Sequence, residues 1–414
     1  MSPRRLLAAI ALALLAWLLW PPQAAPEHPP DAAPTAAQIE RGAYLARAGH
    51  CAGCHTARGQ APYAGGRGIA TPFGTVYASN LTPEPDTGLG RWREPDFWRA
   101  LHEGRSRDGH LLSPAFPTGN FSHIARDDAR DLWAYLRSLQ AVHRPNTPHS
   151  LPWPLGTQAA LKLWRAAFFW PAPDTAQAPA PGTAGRGAYL VQGLGHCDAC
   201  HAPRTMLGSV GSLATVHSGQ AMPAEPWLAP SLASPLGDGQ ALGPAPQLHR
   251  FLKTGLSDQH AALGPMADVV AGSTQYLRDD DLQAMVAHLL TLNPQAAAAP
   301  TATAAPMPAA QLAEGERLYK QHCADCHGAQ GQGAPGIYPP LRGSHVVQMP
   351  SPANLIRIIT TGGFAPGTAG NPRPYGMPAF DLPHTELATL STWLRQSWGH
   401  HATPVTEVDV LIRR

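Results

Sequence analysis

The stretch Cys51-Ala52-Gly53-Cys54-His55 returns as Cys197-Asp198-Ala199-Cys200-His201 and again as Cys323-Ala324-Asp325-Cys326-His327. Two thiols separated by two residues and followed at once by His form the attachment pattern of a c-type haem. The thiols add across the two vinyl groups of one haem, and the imidazole takes the iron as proximal ligand. Three copies imply three covalently bound c-type haems, each on two cysteines and one of His55, His201 and His327. Half a zinc site, a thioredoxin-like couple or a disulfide staple would also use Cys-x-x-Cys, but none of them needs the following His. With 20 His in 414 residues, chance would put a His after all three pairs with odds of roughly one in ten thousand. The chain has six Cys, and the motifs consume all of them, leaving no thiol for a disulfide.

Covalent haem attachment belongs to an extracytoplasmic compartment, and the N-terminus agrees with export. Arg4 and Arg5 precede an apolar run from Leu6 to Trp20, followed by Pro21, Pro22 and small residues at Ala24 and Ala25. Residues 1–25 therefore read as a signal peptide or, since Gln23 spoils the small-residue cleavage pattern, as a retained N-terminal anchor. The run is shorter than the roughly 20 residues that span a bilayer, and no later run is longer. A formal charge of +2 with 14% charged residues, against about 25% in a typical domain, offers no basic field for nucleic acid.

The expected fold is mainly α, with three haem domains in series joined by Pro/Ala-rich linkers. The first runs over 38–145. It opens with a helix over Ile39–Gly49 and closes with one carrying Leu132, Trp133, Leu136 and Leu139 at helical spacing, with Asp127 and Asp128 in its first turn. Residues 146–182 form a linker that contains one amphipathic segment, Leu155 to Trp170, suited to a membrane surface, a partner or a neighbouring domain. The second domain, 183–294, repeats the first at its start: Arg186-Gly187-Ala188-Tyr189-Leu190 copies Arg41-Gly42-Ala43-Tyr44-Leu45. It closes with a helix led by Asp279, Asp280 and Asp281. A low-complexity linker, 295–308, leads to the third domain, 309–399, and a tail, 400–414.

A c-type iron has a second axial position, and a Met thioether there raises its potential relative to His. Met377, in Gly376-Met377-Pro378-Ala379-Phe380, and Met266, in Gly264-Pro265-Met266, both precede a closing helix and are the expected sixth ligands of the third and second haems. Met206 is too close to His201 and Met222 lies mid-loop. The first domain contains no Met. Its iron is left open, or takes a substitute ligand from His102, His110 or His123, of which His123 is the weak candidate.

The stretches Thr71-Pro72-Phe73-Gly74-Thr75-Val76-Tyr77 with Asn80-Leu81-Thr82-Pro83, Gly195-His196-Cys197 with His201-Ala202-Pro203-Arg204, Gly264 to Val270, and Met377-Pro378-Ala379-Phe380 with Ser397-Trp398-Gly399 span nearly the whole chain. On these residues it resembles the three-haem cytochrome c subunit of bacterial membrane-bound alcohol, gluconate and related aldehyde dehydrogenases. The resemblance implies three monohaem folds and a place on the periplasmic side of the bacterial inner membrane. It also implies electron delivery from a catalytic dehydrogenase subunit to ubiquinone. In the family pattern a Met precedes the first closing helix; here Ser113-Pro114-Ala115-Phe116-Pro117 puts Phe116 in that place.

The chain has no nicotinamide fingerprint, flavin site or nucleophile with a base, so substrate chemistry falls to the partner, whether quinoprotein, flavoprotein or molybdenum enzyme. The competing reading is a haem enzyme acting on peroxide or a sulfur compound at an open first haem. A soluble shuttle or an oxidase subunit is disfavoured, because copper-binding cysteines and multiple spans are missing.

Overall fold

A computed structural model describes residues 2–213, 220–221, 227–232, 243–292 and 307–413. The expectation of a linker over 295–308 falls mostly outside these residues, as does Met222. The described chain is mainly helical, with three two-stranded antiparallel hairpins, and it divides into two compact units. One is Met1–Pro179 with Gln192–His196; the other is Ala180–Val191 with Cys197–Arg414.

In the first unit the opening helix, Ala36–Ala48, begins at a capping box in which Thr35 accepts from Gln38 N and Gln38 answers on Thr35 N. It crosses the closing helix, Arg126–Ser138. The crossing is close because Gly42 has no side chain: a Cβ there would lie 1.9 Å from the Asp131 carbonyl oxygen. One residue earlier, Arg41 Nε reaches Asp131 Oδ2 at 2.7 Å. Leu45, Leu132, Trp133 and Leu136 fill the space beside this crossing, and Phe97 stacks on Trp133 with ring centroids 5.4 Å apart. A hairpin, Gly68–Thr71 with Gly74–Tyr77, pairs Ile69 with Val76 and leads directly into Ala78 and Ser79.

The apolar N-terminal run is helical from Pro3 to Leu19, and none of its residues is buried. The amphipathic segment is helical over Gln158–Phe168 and packs on it. Lys162 Nζ donates to the carbonyls of Trp17, Leu18 and Trp20 at 2.9, 3.1 and 2.6 Å, placing a cation on the negative end of the N-terminal helix. The chain then enters the domain: Ala25 N donates to Arg107 O, and Asp31 accepts from Trp133 Nε1 at 2.9 Å. Among the described residues no helix is long and apolar enough to cross a membrane.

The second unit repeats the crossing twice. Helix Ala184–Tyr189 meets Asp279–Thr291, with Gly187 against the Ala284 carbonyl and Arg186 Nε 3.1 Å from Asp281 Oδ1. Helix Ala309–His322 meets His384–Gln396, with Gly315 under Trp393 and Tyr319 stacked on Trp393 at 4.8 Å. Between these two pairs Thr368 Oγ1 donates to Thr254 O at 3.1 Å. The tail carries a further helix, Glu407–Arg413, held by fully buried Val410. Nearby Arg395, also fully buried, donates to the carbonyls of Val347, Met349 and Thr403.

Candidate haem sites

Each Cys-x-x-Cys-His motif is a short helical turn directly after an opening helix or its final turn. None of the six cysteines is in a disulfide. Burial pushes Cys51, Cys197 and Cys323, the first thiol of each pair, up to about 12, which favours the protonated thiol. Among the described residues no group of three His, Cys, Asp or Glu is arranged to hold a free metal ion.

The three motif histidines share one geometry. His55 Nδ1 lies 2.7 Å from Ser79 O, His201 Nδ1 2.7 Å from Pro230 O and His327 Nδ1 2.9 Å from Pro339 O. A carbonyl only accepts, so Nδ1 carries the hydrogen and Nε2 presents its lone pair. Burial also holds all three rings below the usual imidazole range, against the opposing pull of the carbonyl. Each ring is thus neutral, fixed in tautomer and fixed in orientation, as a metal-ligating imidazole requires. With two cysteines in the same five-residue motif and no disulfide between them, these donor sets fit a covalent haem.

Further contacts stiffen the motifs. Arg67 Nη1 donates to Gly53 O at 2.5 Å, and Arg204 Nη2 donates to Ala199 O. Gly53 and Ala199 occupy the same place, the second spacer of their motifs. Gly53 leaves room for the His50 ring, whose Nε2 would lie 2.1 Å from a Cβ there.

Met377 lies in the short strand Gly376–Met377, paired with Gly363–Phe364, and packs with Phe380 and Trp398 against the core that contains Cys323. Met266 is half-buried at the start of helix Pro265–Gly272. Its turn runs through Gly264, where φ is +56° and a Cβ would meet the Trp227 ring at 2.6 Å. Trp227 is three residues before Pro230, whose carbonyl holds His201.

In the first unit the corresponding place holds Phe116, half-buried, its ring 5.0 Å from that of Phe121. His102 is buried, stacked on Trp98 at 4.7 Å, with Nε2 bonded to Ala172 O at 2.9 Å. His110 pairs through Nδ1 with Asp108 at 2.9 Å. His123 is exposed just beyond helix Thr118–Phe121.

The carbonyls of Ser79, Pro230 and Pro339 were not identified from sequence, because a backbone acceptor has no residue type of its own. A signal existed: each is followed two residues later by Leu, at Leu81, Leu232 and Leu341.

A cytochrome c family model matches residues 39–140 and 312–398; the second motif lies between these spans. The chain is 37% identical over 401 residues to the "Alcohol dehydrogenase (quinone), cytochrome c subunit" of Gluconacetobacter polyoxogenes, covering 92% of this chain and 84% of that one. It is 36% identical to the "Gluconate 2-dehydrogenase cytochrome c subunit" of Pantoea cypripedii, covering 90% and 89%. To the "Fructose dehydrogenase cytochrome subunit" of Gluconobacter japonicus it is 30% identical, over 93% of its own length and 84% of that chain.

Proposed function

The chain belongs to the family of cytochrome c subunits of dehydrogenases, electron-transfer subunits rather than the substrate-oxidising ones, and from that premise we propose that it relays electrons from a catalytic partner through three covalent haems to membrane ubiquinone. The haems sit on Cys51 and Cys54 with His55, on Cys197 and Cys200 with His201, and on Cys323 and Cys326 with His327. Met266 and Met377 complete the second and third irons. The observation that carries this reading is the threefold Nδ1-to-carbonyl contact, which also supports a haem at the second motif.

Relatives named for alcohol and gluconate oxidation support a partner dehydrogenase, and the relay is indifferent to whether that partner is a quinoprotein, a flavoprotein or a molybdenum enzyme. The exposed helix Pro3–Leu19 and the helix Gln158–Phe168, with Trp153 and Trp170 exposed at 87% and 73% on its flanks, support contact with the periplasmic membrane surface, where aromatic side chains suit the headgroup level. The first haem lacks a thioether and is the low-potential or ligand-accessible member, with His123 its weak substitute ligand. Substrate chemistry at that haem is the weaker reading, because the relatives are named as cytochrome subunits of dehydrogenases.

Intact mass of the denatured protein tests the haem count: three haem masses are expected, and fewer than three overturn the reading. The purified complex, given its partner's substrate, should reduce a ubiquinone analogue and stop doing so without this subunit. Oxidation of an alcohol or sugar acid by the isolated chain would contradict the relay.

A further inference from the structure

Two residues before the carbonyl that orients His201, the backbone of Leu228 is gripped from elsewhere in the second unit. Asn354, in the first turn of helix Ala353–Thr361 and 6% exposed, donates from Nδ2 to Leu228 O at 2.8 Å and accepts from Leu228 N at 2.9 Å through Oδ1. This amide therefore does what a neighbouring strand would do, closing two hydrogen bonds on one residue. Its second Nδ2 hydrogen faces Met349 Sδ at 3.8 Å. From Leu228 the chain passes through buried Ala229 to Pro230, whose ring fixes its φ, and Pro230 O accepts from His201 Nδ1 at 2.7 Å.

The other two motifs are braced differently. Beside Ser79, Asn80 is buried and bonded to Val142 O at 2.8 Å in its own sequence domain, with its N–H on Asn146 Oδ1 at 2.8 Å at the start of the following linker. Beside Pro339, Tyr338 N and Ala334 N exchange bonds locally with each other's carbonyls. In the second domain the position matching Asn80 is Ser231; Leu228 pairs with Ala221 in a short antiparallel hairpin, and both its backbone hydrogen bonds to a side chain go to a residue 126 positions away in the third.

We propose that Asn354 is a positioning residue for His201, so that the third domain sets the redox tuning of the second haem. The inference rests on the assignment of a haem to Cys197, Cys200 and His201. A firm Nδ1–H···O bond increases the basicity of the ligating Nε2 and favours ferric iron. Releasing Leu228 lets Pro230 O move, weakens that bond and raises the potential of this haem alone.

The test is potentiometric titration and electron paramagnetic resonance of the full-length holoprotein, with the second haem identified as the component that Met266→His displaces. Asn354→Ala should shift that midpoint upward and alter that haem's g-values, with the other two midpoints unmoved. Thr368→Val, which removes the Thr254 contact in the same unit, should leave all three in place. Asn354→Asp, which keeps the acceptor but loses the donor, covers the case in which the alanine variant fails to mature. Unchanged midpoints in Asn354 variants that carry three haems would overturn the proposal, as would an equal shift in Thr368→Val. A parent protein whose Cys197–Cys200 peptide has no haem mass would overturn the haem assignment instead, and this inference with it.

Discussion

Arg186 and Asp281 form an ion pair 3.1 Å long with side chains 6% and 0% exposed, while the matching pair in the first domain, Arg41 and Asp131, leaves its arginine 59% exposed. Removing one partner of a buried pair costs about 3–5 kcal/mol, because the remaining charge stays desolvated, whereas an exposed pair is worth about 1 kcal/mol or less. Asp281→Ala should therefore lower the denaturant midpoint of the second unit strongly and Asp131→Ala that of the first only slightly. Equal effects in urea titrations followed by the Soret band would contradict this.

The motif histidines separate cleanly from their neighbours. His55→Gly, His201→Gly or His327→Gly should each remove one haem's normal spectrum. His322→Gln should remove none, since that ring only packs edge-on against Phe380 at 5.6 Å. Absorbance and resonance Raman spectra of the four variants read the difference.

Phe116→Met supplies a thioether to a domain whose sequence has none. The expected result is a higher midpoint for that haem and loss of cyanide binding relative to the parent. If cyanide reactivity and all midpoints stay the same, another residue already fills the position, and His123→Ala becomes the variant that opens it.

Acid should loosen the second unit. Burial, with His345 adding to it, holds His260 at about 4, below the usual 6.5, so the folded protein favours the neutral ring while the unfolded chain binds a proton more readily. Stability from this group is complete above pH 6.5, falls as pH drops through that value, and is fully lost below about 4. The loss is no more than about 3 kcal/mol. His260→Gln should flatten the pH dependence of the melting temperature between 6.5 and 4, and an unchanged slope would rule His260 out.

The mainly helical fold was legible because its signals are local. The copied Arg-Gly-Ala-Tyr-Leu segments and the acidic first turns of the closing helices read directly as elements, and Gly42 and Gly187 prove to be the crossing points. The helical turns at the three Cys-x-x-Cys-His repeats are likewise local, being five contiguous residues. The braces were not. Arg67 and Arg204 bond to matching carbonyls from different distances along the chain, so no fixed spacing announces them. Asn354 acts on a backbone 126 residues away, and nothing in either local stretch mentions the other. The helix Glu407–Arg413 was read only as part of a tail, because it is two turns long and buries Val410 alone of its residues.

The crossing of opening and closing helices also predicts an order of maturation. Arg41 and Asp131 are 90 positions apart, and Arg186 and Asp281 are 95, with the thiols of each motif close behind the first member. A chain that emerges N-terminus first presents each thiol pair well before the helix that will lock the domain has appeared. During that interval the cysteines stand open to whatever attaches the haem, and the three sites become available one after another. Holo-domains should therefore accumulate from the N-terminal end when haem supply is cut off partway through synthesis.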